Sequence, residues 1–119
     1  MLLRESCGCN IAHVVVFFVP VPPYVDSDSV EEQQNVIMGQ TALLKCPIAG
    51  IPAPNIIWLK SGQPLQANAR IRELDDGHQL EISVAEESDT AQYTCSGSNV
   101  AGSVKLLFSL TVFGASCYS

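Results

Sequence analysis

Positive charge is scarce in this sequence. The basic residues are Arg4, Lys45, Lys60, Arg70, Arg72 and Lys105, scattered singly against 12 acidic residues, for a formal charge of −6. No basic stripe exists to neutralise a phosphate backbone, which excludes a nucleic-acid partner. The same deficit argues against docking on anionic lipid, and the acidic excess reads as a solubility device. Histidine is nearly absent: His13 and His78 have no metal-ligand partner at useful spacing. His78 follows Asp-Asp-Gly and is expected to be a solvated turn residue. Neither GxGxxG nor GxxxxGK[ST] occurs, and there is no Gly-x-Ser-x-Gly elbow. No catalytic set survives this search, so neither an enzyme nor a cofactor is expected. The apolar run from Ile11 to Val19 is too short to cross a bilayer as a helix. Asn10, Asn35, Asn55, Asn68 and Asn99 all lack Ser or Thr two positions on, so N-glycosylation is not expected.

What is present is enough for one core. The 119 residues are 47% apolar and 15% charged, a composition that folds. A chain of this size buries roughly two-thirds of its unfolded surface around a single core. From Val21 onward the hydrophobic period is two. Ala42, Leu44 and Cys46 share a face, as do Ile56 and Trp58. Leu80, Ile82 and Val84 form a third set, Ala91, Tyr93 and Cys95 a fourth, and Val104 to Val112 a fifth. This is the pattern of half-buried antiparallel strands. Breaks fall at Gly39-Gln40, Gly50 to Pro54, Ser61 to Pro64, Asp75-Asp76-Gly77 and Ala101-Gly102. Asp-Gly in particular reads as a hairpin turn. No helical period is sustained, and many short strands at this spacing imply a sandwich or small barrel.

The ends differ from the middle. Residues 1–21 are a flank that reads three ways: a signal-like leader, the last strand of a preceding domain, or a gene-model edge. Residues 22–113 are expected to be the domain and 114–119 a tail. Of five cysteines, Cys46 and Cys95 lie in strand patterns, while Cys7, Cys9 and Cys117 lie in the flanks. Cys7-Gly-Cys9 is a weak soft-metal signal without a second pair of ligands. Two acidic groups, Asp26/Asp28 with Glu31/Glu32 and Glu86/Glu87 with Asp89, invite a calcium reading, but calcium needs six to eight oxygens in a cage. No metal site is therefore expected.

Trp58 lies 12 positions after Cys46, Tyr93 two before Cys95, and Asp89 four before Tyr93. The resulting Cys…Trp…Asp-x-Ala-x-Tyr-x-Cys resembles an immunoglobulin domain. Only 30 residues separate Trp58 from Asp89, which leaves no room for the extra edge strands of a variable-type domain. Val36 to Gln40, Trp58 to Leu65, Arg70 to Ile82 and Asn99 to Gly102 resemble the intermediate set, or I-set. Val21-Pro22-Pro23-Tyr24-Val25 is similar to the interdomain edge of the tandem repeats in hemicentin-like extracellular matrix proteins.

The resemblance implies an all-β, two-sheet Greek-key sandwich. It implies a Cys46–Cys95 disulfide between the sheets against Trp58, and a Tyr93 hydroxyl bonded back to the turn Glu86 to Asp89. Asp89 would pair with Arg70 or with amides of that turn. Two buried free thiols, as in cytosolic muscle relatives, are the alternative for the cysteine pair. The function implied is a secreted or cell-surface adhesion or matrix module, holding protein partners or neighbouring immunoglobulin domains. The alternatives are a structural segment of an intracellular titin-like protein and the ligand-binding ectodomain of a signalling receptor. One sheet face is unusual. Ile57, Leu59 and Leu107 all point opposite to Trp58 and Phe108, beside Gln92, Thr94 and Ser96, and mark a candidate binding face. Long neighbours such as Lys105 could instead cover scattered surface aliphatics there.

Overall fold

The computed structural model describes residues 19–114. The readings of residues 1–18 and 115–119, with Cys7, Cys9, His13 and Cys117, lie outside the described residues. Among the described residues ten strands follow in order: β1 (Val21–Val25), β2 (Gln33–Ile37), β3 (Ala42–Lys45), β4 (Ile48–Ile51), β5 (Asn55–Lys60), β6 (Gln63–Pro64), β7 (Ile71–Leu74), β8 (Gln79–Ile82), β9 (Ala91–Asn99) and β10 (Gly102–Phe113).

The strands form two layers. The first is a five-stranded sheet in the order β2-β10-β9-β5-β6. β9 and β10 make an antiparallel hairpin from Ala91↔Leu110 to Asn99↔Gly102, and β5 pairs with β9 through Cys95↔Trp58. β2 lies parallel to the end of β10, from Gln33↔Ser109 to Ile37↔Phe113. The second layer is β3-β8-β7, continued by the pair β4-β1. The break between β3 and β4 falls at Cys46-Pro47, where proline has no N–H for the ladder. The Ile48 amide turns back to the Cys46 carbonyl at 2.9 Å, and the Asp26 amide closes the seam on the Pro47 carbonyl at 2.6 Å. The short β6 is an edge strand beside β5, and the extra edge strands of a variable-type domain are absent among the described residues, as the spacing required. β6 fits because it needs only two residues, Gln63 and Pro64.

The inward parity of β3, β5, β9 and β10 becomes the core. Ala42, Leu44, Cys46, Ile56, Trp58, Tyr93, Cys95, Leu106, Phe108, Leu110 and Val112 are all buried. Cys46 and Cys95 are bonded between the layers, their Cα atoms 6.3 Å apart. Trp58 sits across from Cys95 in the ladder, and its ring tilts 38° against Phe108 at a centroid distance of 5.5 Å. The buried indole N–H donates to the Gly77 carbonyl at 2.7 Å, so the ring is packed without an orphaned donor. Gly77 has to be glycine twice over. Its φ is +92°, and a Cβ there would lie 3.0 Å from the Ile56 Cβ. The layers also meet closely at Gly97, where a Cβ would sit 2.7 Å from the Ile48 Cγ2.

Asp75-Asp76-Gly77 does lie in a hairpin turn, joining β7 to β8 through a 3-10 turn in which all three residues have positive φ. Two local readings are corrected. His78 is half-buried rather than solvated. Its ring lies between two backbone carbonyls, Nδ1 at 3.0 Å from that of Asp75 and Nε2 at 2.9 Å from that of Ile48. Val84 does not continue the inward set of β8. The strand ends at Ile82, Val84 takes a φ of 47° and turns outward, and Ala85 occupies the core position instead.

The disulfide closes a loop with a sequence separation of 49, a constraint on the unfolded chain of about 4 kcal/mol in the chain-entropy account. A tryptic digest of the unreduced protein should contain the peptides Cys46–Lys60 and Glu73–Lys105 joined. Cys95→Ala should lower unfolding stability by about 4 kcal/mol, read from the denaturant midpoint. Separate peptides before reduction would refute the pairing.

Candidate protein-binding face

The buried polar corner of the domain is already fully engaged. Asp89 is 1% exposed, at the end of the 3-10 turn Glu87–Asp89. Its Oδ2 accepts from Arg70 Nη1 at 2.7 Å and from the Glu86 amide at 2.8 Å, and its Oδ1 accepts from Arg70 Nη2 at 3.1 Å. Both partners anticipated for Asp89 are therefore present at once. The Tyr93 hydroxyl donates to the Asp89 carbonyl at 2.7 Å. Arg70 also holds the carbonyls of Ser83 and Val84, at 3.2 and 3.3 Å, across the irregular turn that puts Val84 outside. Burial pulls the Asp89 carboxyl up, but the Arg70 hydrogen bonds, the Glu86 amide and the Arg70 charge outweigh it and hold it below the usual carboxylate range. Burial pushes the Tyr93 phenol up to about 12. These groups brace the turn and leave nothing free for chemistry. Among the described residues no group of three His, Cys, Asp or Glu is gathered to hold a metal ion.

A cleft of about 390 Å³ lies between the segment after β1 and the free edge of β3. It is lined by Ser27, Val30, Glu31, Gln34, Leu43 and Lys45 among others, and Gln34 Nε2 caps the Leu43 carbonyl at 3.0 Å. No histidine or cysteine lines it. Among the described residues no helix is long and apolar enough to cross a membrane.

The outer face of β2-β10-β9-β5 is different in kind. The register aligns Leu59, Thr94 and Leu107 in one row, and Ile57, Ser96 and Lys105 in the next. Ile57, Leu59 and Leu107 therefore share one patch. Ile57 is 48% and Leu107 52% exposed, while Leu59, beside Ile57 on β5 and across Thr94 from Leu107, is half-buried. Lys105 lies beside Ser96 and leaves both aliphatics in the open. The row toward the exit end is Gln92, Ser109 and Gln33, then come Thr111 with Asn35 and Phe113 with Ile37. Phe113 and Ile37, 52% and 49% exposed, form a second apolar pair on the same face, beyond what the strand patterns indicated and separated from Leu107 by the Ser109 and Thr111 rows. The parity of β10 carried the signal for Phe113; Ile37 required the parallel pairing. Among the described residues Lys105 is the sole charged side chain on this face. The outer face of β3-β8-β7 has the opposite character, with Lys45, Glu81 and Arg72, the last two paired at 2.6 Å.

At the pole where β1 enters, the described residues carry no charge. Asn99 ties it together: its Nδ2 donates to the carbonyls of Val21 and Pro52, at 2.9 and 3.0 Å, and its Oδ1 accepts from the Ala101 amide at 2.8 Å.

A two-layer antiparallel sandwich with an inter-sheet disulfide, a tryptophan beside it and a tyrosine bonded across a corner defines the immunoglobulin class. Residues 26–112 match the family described as Immunoglobulin I-set domain, and the chain belongs to that family. Human Hemicentin-1 is 44% identical over 95 residues, covering 78% of this chain and 2% of Hemicentin-1. Neural cell adhesion molecule 1-B of Xenopus laevis is 30% identical over 96 residues, 80% of this chain and 9% of that protein. The chain thus spans a small part of the length of these relatives. Among solved structures, the titin M10–obscurin-like 1 Ig complex contains a chain that superposes with a TM-score of 0.73 at 30% identity, covering 82% of this chain and 99% of that one. Family and fold fit a protein-interaction module, and nothing in them points to an enzyme.

The depressed Asp89 carboxyl fixes the sign of a pH effect. Its stabilisation is complete above the unfolded value near 4 and is lost as pH falls through the lower folded value. Asp89→Asn should cost about 2 kcal/mol at neutral pH. The gap between variant and wild type should narrow as pH falls toward about 3, measured by urea unfolding. A gap that stays constant would show that Asp89 does not act as a charged brace.

Proposed function

We propose that this chain is a non-catalytic extracellular adhesion or matrix module, which makes protein contacts through the outer face of β2-β10-β9-β5 and serves as one unit of a tandem immunoglobulin array. The observation that carries the reading is the sheet face itself. Exposed Ile57, Leu107, Phe113 and Ile37 lie among neutral polar residues with a single charge, whereas the opposite sheet carries charges in the ordinary way. Depletion of charge around large apolar side chains is the compositional mark of an interface core. The bonded Cys46–Cys95 pair supports an oxidising setting. The likeness to Hemicentin-1 and to a neural cell adhesion molecule points the same way. The charge-free entry pole organised by Asn99 suits a neighbouring domain.

A second reading, a structural segment of an intracellular titin-like protein, draws on the titin M10 superposition. It requires Cys46 and Cys95 to be reduced in the cell.

Two measurements test the proposal. Protein isolated under rapid alkylation from expressing cells should show Cys46 and Cys95 protected from the reagent; full labelling of both would favour the intracellular reading. Full chain carrying Ile57→Asp and Leu107→Asp should be retained at least tenfold less on a native extracellular matrix layer, while Val84→Asp on another surface should bind as wild type does. Undiminished retention of the folded double variant would overturn the contact role of this face.

A further inference from the structure

Both nitrogens of one ring face acceptors. His78 Nδ1 lies 3.0 Å from the Asp75 carbonyl and Nε2 2.9 Å from the Ile48 carbonyl. A carbonyl oxygen can only accept, and a neutral imidazole carries a single N–H. With a neutral ring, one of the two contacts sets lone pair against lone pair. Only the imidazolium, with an N–H at each end, makes both bonds, and its charge strengthens each. The Ile48 carbonyl is not used by the β1-β4 ladder. The Asp26 amide takes the adjacent Pro47 carbonyl, so strand parity turns that of Ile48 to the opposite edge, toward His78. This is where the second layer breaks, and among the described residues β4 pairs only with β1. The β7-β8 turn holds the broken ends together. Its Gly77 carbonyl takes the Trp58 indole, the His78 carbonyl takes the Cys46 amide, and the His78 ring reaches β4.

We infer that His78 is a proton-operated clasp: protonated, it ties β4 and the entry strand β1 to the β7-β8 turn, and neutral, it loosens them. Protonation replaces a repulsive contact by a charge-assisted bond in the folded chain alone. Stability therefore rises as pH falls through the ordinary histidine range, about 6.5, and the gain is lost on the alkaline side. The charges around the ring act in the same direction. Asp75 and Asp76 share its turn, Glu73 of β7 puts its carboxylate beside Gly77, and Asp26 follows β1. Lys45 of β3, opposite Gln79, is the one cation set against them, and Glu81 of β8 is taken by Arg72. Among the described residues none of these acids pairs with the ring, so the two carbonyl contacts decide the effect. The Asp89 brace works with the opposite sign and at lower pH, below about 4. Acidification thus first tightens the domain and then weakens it. The clasp acts whatever the outer sheet face binds.

Urea unfolding of the full chain, with free thiols alkylated, tests this. The folding constant of the wild type should be about tenfold larger at pH about 5.5 than at pH about 8. His78→Gln keeps a donor toward one carbonyl but carries no titrating proton, and its constant should be the same at both. His13→Gln should keep the wild-type dependence. Hydrogen exchange, corrected for its intrinsic pH dependence, locates the effect. The Asp26 amide, which closes the β1-β4 seam on Pro47, should be several-fold better protected on the acid side in wild type and equally protected on both sides in His78→Gln. Proton NMR of the wild-type ring at pH about 5.5 should show two long-lived ring N–H resonances, one for each carbonyl. Wild type equally stable at the two pH values overturns the inference, as does a dependence that survives in His78→Gln or vanishes in His13→Gln. So does Asp26 protection that ignores pH. Should His78→Gln fail to fold, a wild-type ring with one long-lived N–H, or none, overturns it as well.

Discussion

A bond between two sulfurs and the indole laid beside it make the two layers one object. Cys46 belongs to the β3-β8-β7 layer and Cys95 to the five-stranded one, and Trp58 fills the space next to their junction. Neither layer could bury its inner face alone, because each is apolar on that side only. Once the layers are joined, the outer faces are fixed by parity. A strand that places Trp58 and Tyr93 inward must place Ile57, Leu59, Gln92 and Thr94 outward. The composition of the candidate binding face is thus a consequence of the core register. A slip of one residue in β5 would bury Ile57 and expose Trp58.

The charged residues are distributed to match. The ion pair of half-buried Arg70 with buried Asp89 braces the turn before β9. Arg72 and Glu81 lie on the outer face opposite to the aliphatic one. Solubility from a formal charge of −6 is thereby kept away from the neutral face, and the apolar residues there are left available. The Arg70–Asp89 pair also holds the carbonyls of Ser83 and Val84, where the backbone leaves the strand register. Val84 accepts a left-handed conformation unusual for a β-branched residue because that turn is held from several sides at once.

What could be read from the residues alone was whatever depends on period two. The inner faces of β3, β5, β9 and β10, and with them Ile57, Leu59 and Leu107, follow from alternation. The reading failed where local geometry departs from that period. Val84 continues the alternation of Leu80 and Ile82 on paper, but a left-handed residue reverses the parity and Ala85 takes the core position. His78 looked solvated because its partner, the carbonyl of Ile48, is 30 positions away in sequence. The parallel pairing of β2 with β10 is equally non-local, so Ile37 joined the face only when the register was in hand. The near absence of charge on that face was present in the letters throughout. It became visible only when residues from four separate strands were placed side by side.

Trp58 is the one tryptophan of the chain, and it is sealed in the core within a ladder step of the cystine. Disulfides are efficient quenchers of nearby excited indoles, so the native domain should be dim and blue-shifted. Separating the layers would release the quenching and wet the ring together, turning emission brighter and redder in a single step. The molecule therefore carries its own optical gauge of whether its two sheets are still closed on each other, and it needs no attached dye.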